Sequence, residues 1–157
     1  MKTARFILIM ILALASTSLL SAQIQQSGEA TLEITHELLT NALKSGNLAT
    51  LSAVIHPRAL GFYWQSQSVV QLRGEYSATD ALPSVLDDLS KFTTIPTETV
   101  YRAIGNTGIV CMSATLTSKQ GNKNLTRYLR STWVYINADG NWKLLSWHSS
   151  EVPLTKK

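Results

Sequence analysis

Apolar positions along this chain change their period once, near residue 93. Before it they recur at three and four residues. Leu32, Leu38, Leu39, Ala42 and Leu43 predict an amphipathic helix from Glu29 to about Ser45, stopped by Gly46. Asn47 can cap a second, shorter helix faced by Leu48, Leu51, Val54 and Ile55, which has to end before His56-Pro57 because proline disfavours helical geometry in the residue ahead of it. Gly61 to Trp64 and Ser68 to Leu72 predict a small irregular hairpin closing at Gly74. A third helix, capped by Ser77 or Thr79, runs through Leu82, Val85, Leu86 and Leu89 to Phe92, with Pro83 tolerated in its first turn.

Beyond that point the pattern is of β type. Thr97 to Ile104, Ile109 to Lys119, Leu125 to Ile136 and Trp142 to Ser150 read as strands, separated by turn chemistry at Gly105 to Gly108, Gln120 to Lys123 and Asn137 to Asn141. Short turns make the neighbours antiparallel. The expected fold class is α+β, with three N-terminal helices packed on a curved, mainly antiparallel sheet. In the third long strand Trp133 and Tyr135 point one way and Val134 and Ile136 the other, so the sheet is apolar on both faces. Helices cover one face; a second protomer is the expected cover for the other.

The first residues follow a different rule. Lys2 and Arg5 precede an uncharged apolar run from Phe6 to Leu14, and Ser21-Ala22 offers a processing site before Gln23, which together predict a secretory signal peptide over residues 1–22. Ser16, Thr17 and Ser18 interrupt the run before it reaches the roughly 20 apolar residues of a membrane span. The expected organisation is signal peptide 1–22, a polar flexible leader 23–28, one folded domain 29–153 and a frayed tail 154–157. The expected location is secreted or periplasmic, with no membrane attachment after cleavage.

Cleavage also changes the charge. The whole chain has 14 Lys and Arg against 10 Asp and Glu, and losing Lys2 and Arg5 leaves 12 against 10, a net of +2. The sequence pI of 9.3 is therefore no footprint of a nucleic-acid partner, since the remaining cations are dispersed along the chain. Cys111 is the single cysteine, so no intramolecular disulfide is possible. An apolar fraction of 45% with four Trp suffices for one core, and Cys111, mid-strand, is expected to be a small buried hydrophobe within it.

The order of elements and the closing stretch resemble the SnoaL-like branch of the nuclear transport factor 2-like superfamily. From Arg130 the chain reads Arg-Ser-Thr-Trp-Val-Tyr-Ile-Asn-Ala-Asp-Gly-Asn-Trp-Lys-Leu-Leu-Ser-Trp-His-Ser-Ser-Glu-Val-Pro153. A strand runs into an Asp-Gly turn, a Trp opens the last strand, and His148-x-Ser with a trailing Pro closes it. The association domain of calcium/calmodulin-dependent kinase II has a similar ending. The resemblance covers Glu29 to Pro153 and implies a cone-shaped fold around a deep pocket, commonly in a homodimer packed through the sheet. It implies no one chemistry, because isomerases, cyclases, dehydratases, transport factors and assembly modules share the fold.

The candidate residues have to carry the rest. Steroid-isomerase-type members use a carboxylate base, with a Tyr and a protonated acid on the enolate. Here His56-Pro57-Arg58-Ala59 follows the second helix, with no acid before Glu75, and Asp139 in a turn is the one acid between Ile109 and Ser150. A carboxylate isomerase is disfavoured. His148 is the better proton-transfer candidate, although closing the last strand through a hydrogen bond is its simpler role. His56 is expected to be structural and His36, beside Glu33 and Glu37, solvated. Three dispersed His make no zinc set, and no metal or cofactor is expected.

Arg130 and Arg127 could set a guanidinium at the pocket mouth to hold a carboxylate, with an exposed strand position as the alternative. Tyr63, Trp64, Tyr101 and Trp147 could line an apolar cavity or belong to the core. The expected ligand-binding set is thus Tyr63, Trp64, Tyr101, Arg130 and His148. The expected function is non-catalytic binding of a small, largely apolar ligand by a homodimer. An isomerase, cyclase or dehydratase using His148 and an association module are the alternatives.

Overall fold

The computed structural model describes residues 25–64, 69–71, 82–121 and 123–153. Helix α1 occupies residues 25–45 and so takes in positions assigned by the sequence to a loose leader. Its end is capped as the composition requires. Gly46 adopts φ 66°, and the Asn47 N–H donates to the Ala42 carbonyl at 3.0 Å, the outer bond of a Schellman cap. The Asn47 side chain then accepts from the Thr50 N–H at 3.1 Å and opens helix α2, Leu48–Val54. One residue therefore ends one helix and starts the next.

After α2 come strand β1 (Ile55–Phe62) and strand β2 (Val70–Gln71), then helix α3 (Leu82–Ser90). Strands β3 (Thr93–Ile104), β4 (Thr107–Gln120), β5 (Lys123–Ala138) and β6 (Asn141–Glu151) complete the described chain. The sheet order is β2-β1-β6-β5-β4-β3. The meander of four long strands is the one anticipated, with β3 beginning four residues earlier than the alternation suggested. The signal segment, the Ser77 and Thr79 caps and the tail from Leu154 lie outside the described residues, as does most of the expected hairpin between Ser68 and Gly74.

The larger difference is β1. The expected hairpin forms, with Leu60 opposite Gln71 and Gly61 opposite Val70 in antiparallel pairing, but its first strand starts as early as Ile55 and also joins the sheet beside the last strand and parallel to it, with Gly61 opposite Trp147 and Phe62 opposite His148. Gly61 is required there: a Cβ at this position would overlap the Trp147 carbonyl oxygen. Pro57 is accommodated because the pairing lapses between Ile55 and Leu60, so no ladder hydrogen bond is asked of it. His56 accepts the Arg58 N–H at Nδ1, 3.1 Å.

Helix α1 lies across the inner face of the sheet with Leu32, Leu39 and Ala42 buried. A Cβ on Gly108 of β4 would come within 2.8 Å of Leu32 Cδ1, so helix and sheet approach closely there. The Trp142 indole N–H donates to Thr31 Oγ1 at 3.0 Å and ties the helix to β6. Leu51, Ile55, Val110, Tyr135 and Leu144 fill the space beneath, each almost fully buried. The α+β plan of helices on one face of a curved sheet is the observed one.

Two bulges then set which side chains face inward. Along β5 burial alternates, with Leu129, Ser131, Trp133 and Tyr135 inside and Tyr128, Arg130 and Thr132 outside. In β6, Tyr135 pairs with Leu144 but Val134 pairs with Ser146, leaving Leu145 as an extra residue. An insertion of one residue exchanges the faces of everything after it. Trp147 and Ser149 therefore turn inward and His148 outward. A second bulge, between Pro96 and Glu98 of β3, puts Glu98 opposite Ser113 on the outer face.

Candidate functional site

Between the C-terminal half of α1, helix α3 and the inner faces of β3 to β6 lies a cavity of about 420 Å³. Its walls are aromatic. Trp133 and Trp147 stack with ring centroids 4.3 Å apart and an interplanar angle of 11°, while Trp64 and Phe92 meet edge to face at 5.4 Å. Leu43, Leu89, Met112 and Leu116 complete the apolar lining, and the exposed Lys44 stands on it from α1.

The polar groups of the cavity are few and connected. Ser131 and Ser149 are buried and share a hydrogen bond of 2.7 Å between their hydroxyls. The Trp147 indole N–H donates to Ser149 Oγ. The Nε1 atoms of Trp64 and Trp133 are buried without a hydrogen-bond partner among the described residues. No Asp, Glu, His or Cys is among the described lining residues.

Arg127, not Arg130, is the guanidinium beside this cavity. It lies on the inward phase of β5, with its Cζ 5.2 Å from the centroid of the Trp64 ring and its Nη1 2.7 Å from Glu151 Oε2. Arg130 and His148 instead stand on the opposite face. They share an open groove of about 500 Å³ with Glu98, Val100, Cys111 and Thr132. Cys111 is thus exposed, correcting the expectation of a buried thiol, because it occupies the same outward phase as Thr132 opposite it.

The five expected ligand-binding residues divide three ways. Trp64 lines the cavity. Tyr63 packs behind it, with ring centroids 5.7 Å from Trp64 and 5.8 Å from Trp147. Tyr101 belongs to a separate cluster, and Arg130 and His148 to the outer groove. Two of the three aromatic residues of the set, Tyr63 and Trp64, are therefore brought together at the cavity, while Tyr101, Arg130 and His148 stand elsewhere.

Tyr101 stands beside a residue that the sequence reading assigned to solvent. His36 is 3% exposed, and its Nδ1 lies 2.7 Å from the Tyr135 hydroxyl. Trp133, Tyr101 and Tyr135 present edges to its ring at 5.3, 5.9 and 6.0 Å. Burial lowers its pKa to about 4, so the imidazole is neutral. Burial, and then the neighbouring Tyr101, raise the Tyr135 pKa well above its usual value. Burial also raises that of Tyr101, helped by the carboxylates of Glu33 and Glu37. The missed signal was positional: Leu32, His36, Leu39 and Leu43 follow one another at four, three and four residues, which puts His36 inside the apolar stripe.

Among the described residues no group of three or more His, Cys, Asp or Glu converges on a point that could hold a metal. No described helix is long and apolar enough to cross a membrane.

A family model for the SnoaL-like domain matches residues 33–155. The chain belongs to this family. None of the functionally curated proteins matches it in sequence. Among solved structures, the SnoaL-like domain resembles the calcium/calmodulin-dependent kinase II hub of S. rosetta, at TM-score 0.67 and 16% identity over 79% of this chain and 96% of that one. A candidate dehydratase of the nuclear transport factor 2-like family from Streptomyces avermitilis matches at TM-score 0.66 and 16% identity, over 83% and 99% of the two chains. A candidate ketosteroid isomerase from Shewanella frigidimarina matches at 0.62 and 21%, over 74% and 91%. At these identities the likeness is one of fold. What the SnoaL-like domain does rests on its own cavity.

Proposed function

We propose that this SnoaL-like domain binds a small, largely apolar molecule in its cone and carries out no carboxylate-driven reaction on it. One observation carries the reading: an aromatic cavity of about 420 Å³ whose described lining includes no carboxylate, imidazole or thiol. Such a space matches ligand pockets in being mostly apolar with few polar groups. General acid–base catalysis needs a titratable group within hydrogen-bond reach of the substrate, and His148 faces the other side of the sheet.

The same proposal includes where the domain works and in what form. Residues 1–22 act as a signal peptide, and the mature chain is exported to the periplasm or medium as a homodimer packed through the outer face of the sheet. Supporting the dimer, that face exposes Leu60, Phe62, Ile95, Val100, Ile104 and Tyr128. So many large apolar side chains on one sheet face exceed the scattered exposure normal for a monomer.

Native mass spectrometry of protein exported by its own signal tests the parts together. The expected species is a dimer that begins at Gln23 and carries a small-molecule adduct. An empty monomer, retaining residues 1–22, would count against every part.

A further inference from the structure

The polar groups facing the cavity are unbalanced in a way that selects among apolar ligands. Trp147 and the two serines bring three polar hydrogens to one corner: the indole N–H and the hydroxyls of Ser131 and Ser149. Two hydrogen bonds join these groups, the indole to Ser149 and one between the serines. Whichever serine donates in the pair, one hydroxyl hydrogen is left over. The indole N–H groups of Trp64 and Trp133 add two more donors without partners on the same lining. Across the cavity the helix hydroxyls have their hydrogens committed, Thr40 donating to the Glu37 carbonyl at 3.0 Å and Ser90 to the Asp87 carbonyl at 2.7 Å, so neither has a hydrogen left for a ligand.

Resting on the cavity reading above, we infer that the ligand is a flat aromatic molecule that turns a hydrogen-bond acceptor toward the tryptophan–serine wall. The stacked Trp133–Trp147 pair gives that wall the flat surface on which another ring packs. Dry donors without acceptors are costly to leave unmet, so an acceptor that meets one of them gains more than it would at a solvated site. A donor brought to the same place leaves both indole N–H groups unmet, because an indole N–H donates only and the serine oxygens are the acceptors within reach.

Three planar tricyclic probes of nearly equal outline separate the terms. Fluorene has no polar atom, 9-fluorenone has one acceptor oxygen, and carbazole has one donor N–H. Equilibrium dialysis of each against the purified mature protein is expected to rank fluorenone first, about fivefold tighter than fluorene, the yield of one good hydrogen bond. Carbazole, which leaves the indole N–H groups unmet, is expected to bind less tightly than fluorenone. Fluorene binding as tightly as fluorenone, or carbazole matching fluorenone, overturns the acceptor preference while leaving the apolar cavity reading standing. Failure of all three to bind removes both.

Discussion

Trp133 lies directly opposite Trp147 on the inner face of the sheet, where the two rings stack because the β5–β6 ladder passes over Leu145. With Leu145 paired in the ladder, Thr132 would oppose Trp147, and Ser131 would oppose His148. The cavity wall would lose a tryptophan and a serine and acquire an imidazole. A single inserted position thus separates an aromatic binding cavity from one holding a titratable base.

Deleting Leu145 should therefore remove the bulge and keep the stacked pair, because Ser146 already pairs with Val134 and Trp147 with Trp133. The expected result is retention of the tryptophan exciton couplet in the far-ultraviolet circular dichroism, which Trp133→Phe removes. Loss of the couplet in the deletion variant would show that the stacked pair needs the bulge itself and not the register alone.

The buried His36 makes stability depend on pH. Its folded pKa of about 4 lies below the usual value of 6.5, so the unfolded chain takes up a proton that the folded one refuses. The contribution is fully present above about pH 6.5 and is lost as pH falls toward about 4, to a total of about 3 kcal/mol. His36→Gln, which can still bond to Tyr135 but does not titrate, should flatten urea-unfolding stability across that window. Equal pH slopes in variant and parent would remove His36 as the cause.

The two serines should not be equivalent. Ser149→Ala leaves both the Trp147 indole N–H and Ser131 without a partner in a buried site, whereas Ser131→Ala leaves the indole bond in place. We expect Ser149→Ala to cost about 1–3 kcal/mol and Ser131→Ala less, read from denaturant midpoints. The reverse order would mean that the network is wired differently.

The outer face supplies a test of assembly. Phe62 is half exposed there, with its ring centroid 6.1 Å from that of His148. A charge at this position, as in Phe62→Glu, should shift sedimentation equilibrium from dimer toward monomer while the unfolding midpoint of the monomer changes little. An unchanged dimer would place the interface elsewhere.

The helices, the turns and the meander were legible in the sequence because each rests on local chemistry: Gly46 and Asn47 at a cap, Asp139-Gly140 in a two-residue turn, alternation along β5. What was not legible depends on partners distant in sequence. The parallel pairing of β1 with β6 joins residues about ninety positions apart. The facing of His148 depends on a bulge that the string Leu144-Leu145-Ser146-Trp147 does not betray, since either phase buries a leucine. His36 could have been found from its place in the apolar stripe of α1, but its polarity argued the other way. Tyr135, which bonds its Nδ1, comes from β5. The aromatic character of the cavity was anticipated; its polar corner, made by Ser131 and Ser149 across two strands, was not.

The neighbourhood of Gly61 and Trp147 also governs when the domain can form. Strands β1 and β2 reach the rest of the sheet only through β6, because the order is β2-β1-β6-β5-β4-β3. A nascent chain ending at the Asp139–Gly140 turn has the β3–β4–β5 meander but nothing to which β1 can attach. The sheet closes last at its earliest-made strand, so folding waits for nearly the whole chain to be synthesised. A topology of this kind keeps a polypeptide open and threadable until its final strand is made.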